Sequence, residues 1–323
     1  MKHFEPALPR RRFLSGACGT AALMLAGGVP SLAAALFAPE ARAAGREMSS
    51  EEVSRAFERF ADTRRMDPEL GAWLGDRAIQ EIDPYRAFDN VWNVGIRWVS
   101  AWAIRTSEGV ILIDTLHEPF AERLLANLAA VGVGREEIRY VLMTHGHFDH
   151  VGGYERLLKV LPNARFGMSE RGWAEAKHHA GEGRFRIPRI DMVLRDGDPV
   201  TLGQTTVTVL ETPGHTWGTC SYMYPVFLAG ERHTGVTIGG QGLNAMDDPK
   251  QLAAYIASMK RLGSDELGID VDLTAHPFST GLTELIPAVR SWKPGSAHPL
   301  VSRPEYLGRL DRLIRRAEGY VKR

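Results

Sequence analysis

The sequence predicts an α/β fold in a single domain, with stacked sheets covered by helices. Three observations carry that expectation. Short runs of strand length recur in both halves of the chain, at 91–94 and 99–105 in the first and at 205–210 and 271–275 in the second. Segments with helical apolar spacing, 120–131 and 251–262, lie among them. No low-complexity linker and no short internal repeat divides the two halves. The chain has 323 residues, 44% hydrophobic and 24% charged, which excludes a disordered or collagen-like protein and permits a large core. Lys+Arg and Asp+Glu both number 39, so no whole-chain cationic field exists to hold nucleic acid. Two cysteines, Cys18 and Cys220, are too few for a disulfide framework.

Residues 1–43 read as an address. Lys2 and Arg10-Arg11-Arg12 give a basic start, 13–39 carries no charge, and Ala41-Arg42-Ala43 offers the small-x-small pattern of a cleavage site. The uncharged stretch is long enough for a membrane anchor. Gly16, Gly19, Gly27, Gly28 and Pro30 weaken it as a helix and favour a cleaved signal peptide. Arg10-Arg11-Arg12-Phe13-Leu14 resembles the twin-arginine export signal, with Pro9 and Ser15 departing from its usual flanks. The expectation is a periplasmic or secreted protein, delivered by the twin-arginine machinery, with no stable membrane insertion after processing. Cleavage would leave 34 Lys+Arg against 37 Asp+Glu, a net charge of −3, and one cysteine.

The elements then follow in order. Residues 44–84 read as a helical extension, opened by a Ser49/Glu52 capping box with Val53, Phe57 and Phe60 at helical spacing. The main domain is expected over 85–300. Its strands at 91–94 and 99–105 precede a turn at Ser107-Glu108-Gly109 and the apolar run 110–113, which ends in Asp114. After the helix at 120–131, the strand 140–143 runs straight into Thr144-His145-Gly146-His147-Phe148-Asp149-His150. The alternating strand 205–210 leads to Thr212-Pro213-Gly214-His215, and 271–275 leads to His276-Pro277. Within 301–323, the segment 304–321 carries Leu307, Leu310, Leu313 and Ile314 at helical spacing, a packing helix with a solvated arginine-rich face.

Of eleven histidines, three fall with Asp149 inside six residues, on a loop at the end of a predicted strand. Loop side chains anchored by a strand can converge on one point, and imidazole nitrogens with a carboxylate suit Zn²⁺ better than Ca²⁺ or Mg²⁺. Gly146 lets alternate side chains face one centre. His215 and His276 also sit just past predicted strands.

These residues, together with Val151-Gly152-Gly153, Thr216, Ala275, Pro277 and the strand Ile111-Leu112-Ile113-Asp114, resemble the metallo-β-lactamase superfamily over about residues 85–280. The resemblance implies an αβ/βα four-layer sandwich with its active site at one edge of the two sheets. It implies two zinc ions per chain, one held by His145, His147 and His215, the other by Asp149, His150 and His276. The implied activity is hydrolysis of an amide or ester of a small molecule by metal-bound hydroxide, with Asp149 as the catalytic residue. Many lactonases, glyoxalase-type thioesterases and phosphodiesterases of the superfamily carry a bridging aspartate, and the corresponding stretch 236–242 holds no acid. The third β-lactamase subclass, with all-His-plus-Asp ligands and no bridging aspartate, is the most similar pattern. That subclass places serine and a hydroxyl residue where this chain has Gln241 and Leu243, so a lactonase or esterase is the alternative.

Trp217, Gln241 and Asn244 are candidate walls of the substrate pocket. Asp114 is expected to buttress the histidine loop by hydrogen bonding. Cys220, Trp98 and Trp102 are assigned to packing, His178-His179 to a solvated helix end, and His117, His233 and His298 to surface or satisfied positions.

Overall fold

The structure is a computed structural model that describes residues 45–183, 185–243 and 247–321. The signal segment 1–43 and Asn244 lie outside the described residues.

Seven strands form the first sheet in chain order: β1 (Tyr85–Phe88), β2 (Val91–Asn93), β3 (Trp102–Thr106), β4 (Gly109–Ile113), β5 (Ile138–Leu142), β6 (Arg165–Ser169) and β7 (Met192–Leu194). The first four pair antiparallel, β1–β2 and β3–β4 through two-residue turns and β2–β3 through the longer segment 94–101, and β4 to β7 pair parallel. Parallel neighbours need crossovers. Helices α4 (Ala121–Ala130), α6 (Tyr154–Val160) and α7 (Glu170–Ala180) lie in those connections; α5 (Phe148–Val151) is the single turn carrying Asp149 and His150. The second sheet contains β8 (Pro199–Leu202), β9 (Thr205–Glu211), β10 (Cys220–Leu228) and β11 (Glu231–Thr237), antiparallel, with β12 (Val271–Asp272) added parallel to β11.

The sheets bury their inner faces against each other. Trp102, Ile104, Ile111 and Ile113 from the first pack with Val207, Val209, Tyr222 and Tyr224 from the second. Because side chains alternate along a strand, the intervening residues Ala103, Val110 and Leu112 face the other way, against Leu124, Leu128, Leu157 and Trp173 of the helix layer. This two-sided burial explains why 110–113 is continuously apolar. The outer face of the second sheet, at Leu210 and Val236, is covered by Leu252, Tyr255 and Met259 of α8 (Pro249–Leu262) and by Tyr306 and Leu310 of α10 (Arg303–Val321). The result is the αβ/βα sandwich.

Two strands are shorter than the apolar runs suggested. Before Trp102 the pairing narrows to two backbone bonds, Val94 N–H to Ala101 O at 2.8 Å and Ile96 N–H to Val99 O at 2.9 Å, while Ser100 N–H donates instead to Ala275 O at 2.8 Å, beyond β12. Likewise the run 271–275 bonds to β11 only as far as Leu273, whose N–H donates to Val236 O at 2.8 Å, and beyond it Thr274 O accepts from the Trp102 indole at 3.1 Å.

The terminal segments are built into the molecule. The capping box at the start of α1 (Ser50–Thr63) forms, with Ser49 N–H donating to Glu52 Oε2 at 2.9 Å. Val53 and Ala56 of α1, and Leu70 and Trp73 of α2 (Pro68–Gly75), enter the first core. The short α3 (Arg77–Gln80) leads into β1, and α9 (Leu282–Ser291) packs beside it. The arginine-rich face of α10 is not wholly solvated. Arg303 donates to Ile269 O at 2.7 Å, Arg309 reaches Asp272 at 3.4 Å, and Arg316 pairs with Glu58 of α1. Among the described residues no helix is long and apolar enough to cross a membrane.

Candidate metal centre

The centre is assembled at strand ends. Asp114 follows β4 with φ +64°, a left-handed backbone that turns its carboxylate toward the loop after β5. Asp114 Oδ1 accepts from Thr144 N–H at 2.8 Å, and Oδ2 accepts from Thr144 Oγ1 at 3.0 Å and lies 2.8 Å from His150 Nδ1. Beyond Thr144 the loop passes so close to α7 that a Cβ on Gly146 would sit 2.6 Å from Ala176 N. His147 stands at the N-cap position of the single turn α5, and Asp149 and His150 follow within that turn.

The His215 loop between β9 and β10 is held by Glu175 of α7. Its carboxylate accepts from Thr216 Oγ1 and Gly218 N–H, each at 2.8 Å, and burial raises its pKa. His276 follows β12, with Nδ1 2.8 Å from Trp98 O.

Two triads result, His145/His147/His215 and Asp149/His150/His276, the ligand atoms of each within 4.8 Å of one another. In the first, His147 Nδ1 lies 3.1 Å from His145 Nε2 and 3.2 Å from His215 Nε2. In the second, His150 Nε2 lies 3.2 Å from His276 Nε2 and 3.1 Å from Asp149 Oδ2. The outward nitrogens have fixed partners: Thr144 Oγ1 for His145, Gly242 O for His215, Asp114 for His150 and Trp98 O for His276. Those acceptors hold a proton on each outward nitrogen, so in the three-histidine set the lone pairs of the inward nitrogens confront one another. A shared cation resolves that arrangement.

Protonation favours the same conclusion. Burial, then the neighbouring imidazoles, push His145 and His147 well below the usual histidine range. Burial and His150 lower His276 to about 4, and burial lowers His215. Burial opposes the Asp149 charge, but the imidazoles, His150 foremost, outweigh it and hold the carboxyl below its ordinary value. Burial also opposes charge on His150, and Asp149 with Asp114 overcomes it, raising the group to about 10. His145, His147, His215 and His276 are thus neutral beside an ionised carboxylate, the form that binds metal, while His150 holds a proton that a bound cation would displace.

A pocket opens over both triads. His147, Asp149, His215 and His276 contribute to it, and Phe57, Trp98 and Phe278 form an aromatic wall. Phe57 stacks on Phe278 with centroids 4.8 Å apart, and Trp98 stacks on His276 at 5.6 Å. Trp98 is therefore both packing residue and wall, whereas Trp102 is core alone. Gln241 lines the pocket with Nε2 donating to Asp272 at 3.2 Å. Trp217 does not line it; the side chain is 37% exposed, with the Arg171 guanidinium over its ring. The reason is local: Glu175 grips Thr216 and Gly218 on either side of Trp217, and the intervening side chain points outward.

Phe57, Phe278, Leu313 and Arg316 also line the pocket, and the sequence reading did not single them out as site residues. A signal existed in α1: Ser54, Phe57, Glu58 and Ala61, all pocket-lining, recur at one-face helical spacing. His178 and His179 end α7 as expected, with the His179 ring 5.6 Å from His147. Cys220 is buried, and burial raises its thiol to about 12, so it is no nucleophile.

Residues 95–226 match the model of the metallo-beta-lactamase superfamily. Among solved structures, the chain is similar to the subclass B3 metallo-beta-lactamase BJP-1 of Bradyrhizobium japonicum, with TM-score 0.68 and 25% identity over 76% of this chain and 95% of that one. It is similar in fold to FEZ-1 of Legionella gormanii, with TM-score 0.69 and 24% identity over 75% and 97%. Among curated proteins, it is 29% identical to the hydroxyacylglutathione hydrolase of Hahella chejuensis, over 57% of this chain and 62% of that protein. It is 32% identical to the enzyme of that name from a Synechococcus strain, over 45% and 53%. The matches thus span just over half of these two curated relatives.

Proposed function

The chain belongs to the metallo-β-lactamase superfamily, and from that premise we propose a dinuclear-zinc hydrolase that opens an amide or ester bond of a small molecule, most like a β-lactamase. The observation that carries this reading is the pair of triads, six inward-facing donors at the base of an aromatic-walled pocket.

His145, His147 and His215 would hold one zinc; Asp149, His150 and His276 would hold the other. Zinc bound there would supply Lewis acidity toward a carbonyl and lower the pKa of water from 15.7 to about 7. The chain's own part is to position and exclude. Asp114, Gly242 O and Trp98 O fix three of the imidazoles, so the donors need little reorganisation. Asp149 is the one carboxylate among the six donors and lines the pocket, which suits it to orient the attacking water. Phe57, Trp98 and Phe278 shield the reacting group from bulk solvent.

A second reading, an ester, lactone or thioester hydrolase, is favoured by the hydroxyacylglutathione hydrolases among the sequence relatives. The acid-free stretch 236–242 favours the first, and a Cβ on Gly240 would lie 2.4 Å from the His215 ring, so no bridging side chain fits there. Turnover of nitrocefin and a carbapenem by the zinc-loaded chain, measured beside lactone and thioester panels, separates the two. Hydrolysis of the esters or thioesters alone supports the second, and hydrolysis of no member contradicts both.

Residues 1–43 support export to the periplasm or medium through the twin-arginine machinery. Arg10→Lys with Arg11→Lys should retain the protein in the cytoplasm, and undiminished delivery would contradict that route.

A further inference from the structure

The roof of the pocket comes from the two ends of the chain, and both ends lie outside the 95–226 segment that matches the family. Helix α1 supplies Phe57 and Glu58, and helix α10 supplies Leu313 and Arg316. Among the described residues Arg316 is the one cationic side chain of the pocket lining outside the histidine cluster, and the Glu58 carboxylate pairs with it. Their exposures differ, Arg316 at 29% and Glu58 at 47% of the side chain. The guanidinium is the more enclosed partner, and the carboxylate can swing toward water.

We propose that Arg316 is a carboxylate-binding subsite of this pocket, with Glu58 as its resting counter-ion, and that the chain therefore selects substrates carrying an anionic group beyond an apolar body. The proposal rests on the hydrolase reading above for the word substrate, and deepens it. An ion pair this exposed to water is weak, so Glu58 is readily displaced. A ligand carboxylate seated between the aromatic wall and Arg316 meets a planar guanidinium suited to two-point hydrogen bonding in a drier setting. Loss of the pair need not open the roof, because one turn further along Tyr320 of α10 also hydrogen-bonds Asp62 of α1.

The test compares two ligands differing in one group, 4-phenylbutyrate and its primary amide, binding to the zinc-loaded chain by calorimetry. Arg316→Gln should weaken the acid tenfold or more and leave the amide within twofold. Glu58→Gln should tighten the acid several-fold. An equal loss for both ligands in Arg316→Gln would make the residue a wall only, and no loss for either would remove it from the site; both outcomes overturn the proposal. Because the readout is binding, it stands apart from turnover: a chain that hydrolyses no panel member yet discriminates acid from amide through Arg316 contradicts the hydrolase reading alone.

Discussion

The Asp114 carboxylate lies 2.8 Å from Nδ1 of His150, with both side chains fully buried, and this one contact ties the end of β4 to the second triad. Because Asp114 also accepts from Thr144 N–H and Oγ1, it sets the course of the whole histidine loop. Asp114→Asn retains size and tolerates the left-handed backbone but replaces the ionised acceptor. Outer partners of metal ligands are worth roughly 10–100-fold in affinity. The variant should fold and lose about that factor at the second metal position, as read by competition with a chelator. Unchanged affinity would deny Asp114 this role.

Close approach at Gly240 gives a second prediction. An added Cβ would meet the His215 Cβ and Cγ at 2.4 Å, so Gly240→Ala must displace the ring. Overpacking of this kind costs about 1–3 kcal/mol, and here it falls on a ligand. Metal at the three-histidine set should be lost before the fold is, so elemental analysis at a temperature where circular dichroism is unchanged checks it.

Asp149 and Cys220 should separate in mutagenesis. Asp149→Asn removes the one charged donor among the six, and activity on a substrate from the panel should fall by orders of magnitude, since metal activation lowers a barrier by several kcal/mol. Cys220→Ser should stay within a few-fold, because the thiol is buried and held protonated. Retained activity in the first together with loss in the second would point to a thiol nucleophile.

His298 predicts a pH dependence of stability far from the triads. It is buried against Phe88, with Nδ1 accepting from Leu300 N–H at 3.2 Å, and burial followed by the His233 charge lowers it from 6.5 to about 4. The unfolded chain binds the proton more readily, so the contribution is full above pH 6.5 and is lost as pH falls from there through about 4. In urea unfolding of the metal-free chain, His298→Asn should flatten the decline between pH 6.5 and 4 relative to the unsubstituted protein. Parallel curves would contradict it.

Much of this was legible because the informative residues are local in sequence. His145, His147, Asp149 and His150 fall in one loop, and the strands before His215 and His276 announce where those side chains emerge. Asp114 was readable as a buttress from its place at the end of an apolar run. The roof was not, because Phe57 and Arg316 are 259 residues apart and nothing in either helix says what its partner is. An apolar stripe with arginines reads equally as packing plus a solvated face, and only the tertiary arrangement brings Glu58 to Arg316. Trp217 misled for a related reason: nearness to His215 in sequence says nothing of the direction imposed by Glu175 on its neighbours.

The central claim, two triads holding two metals, is tested most directly by elemental analysis of the purified chain reconstituted with zinc and freed of excess. Two zinc ions per chain are expected, falling to one in His276→Ala as the Asp149/His150/His276 set is broken while His145/His147/His215 remains intact. One zinc in the unsubstituted chain, unchanged in His276→Ala, would contradict it.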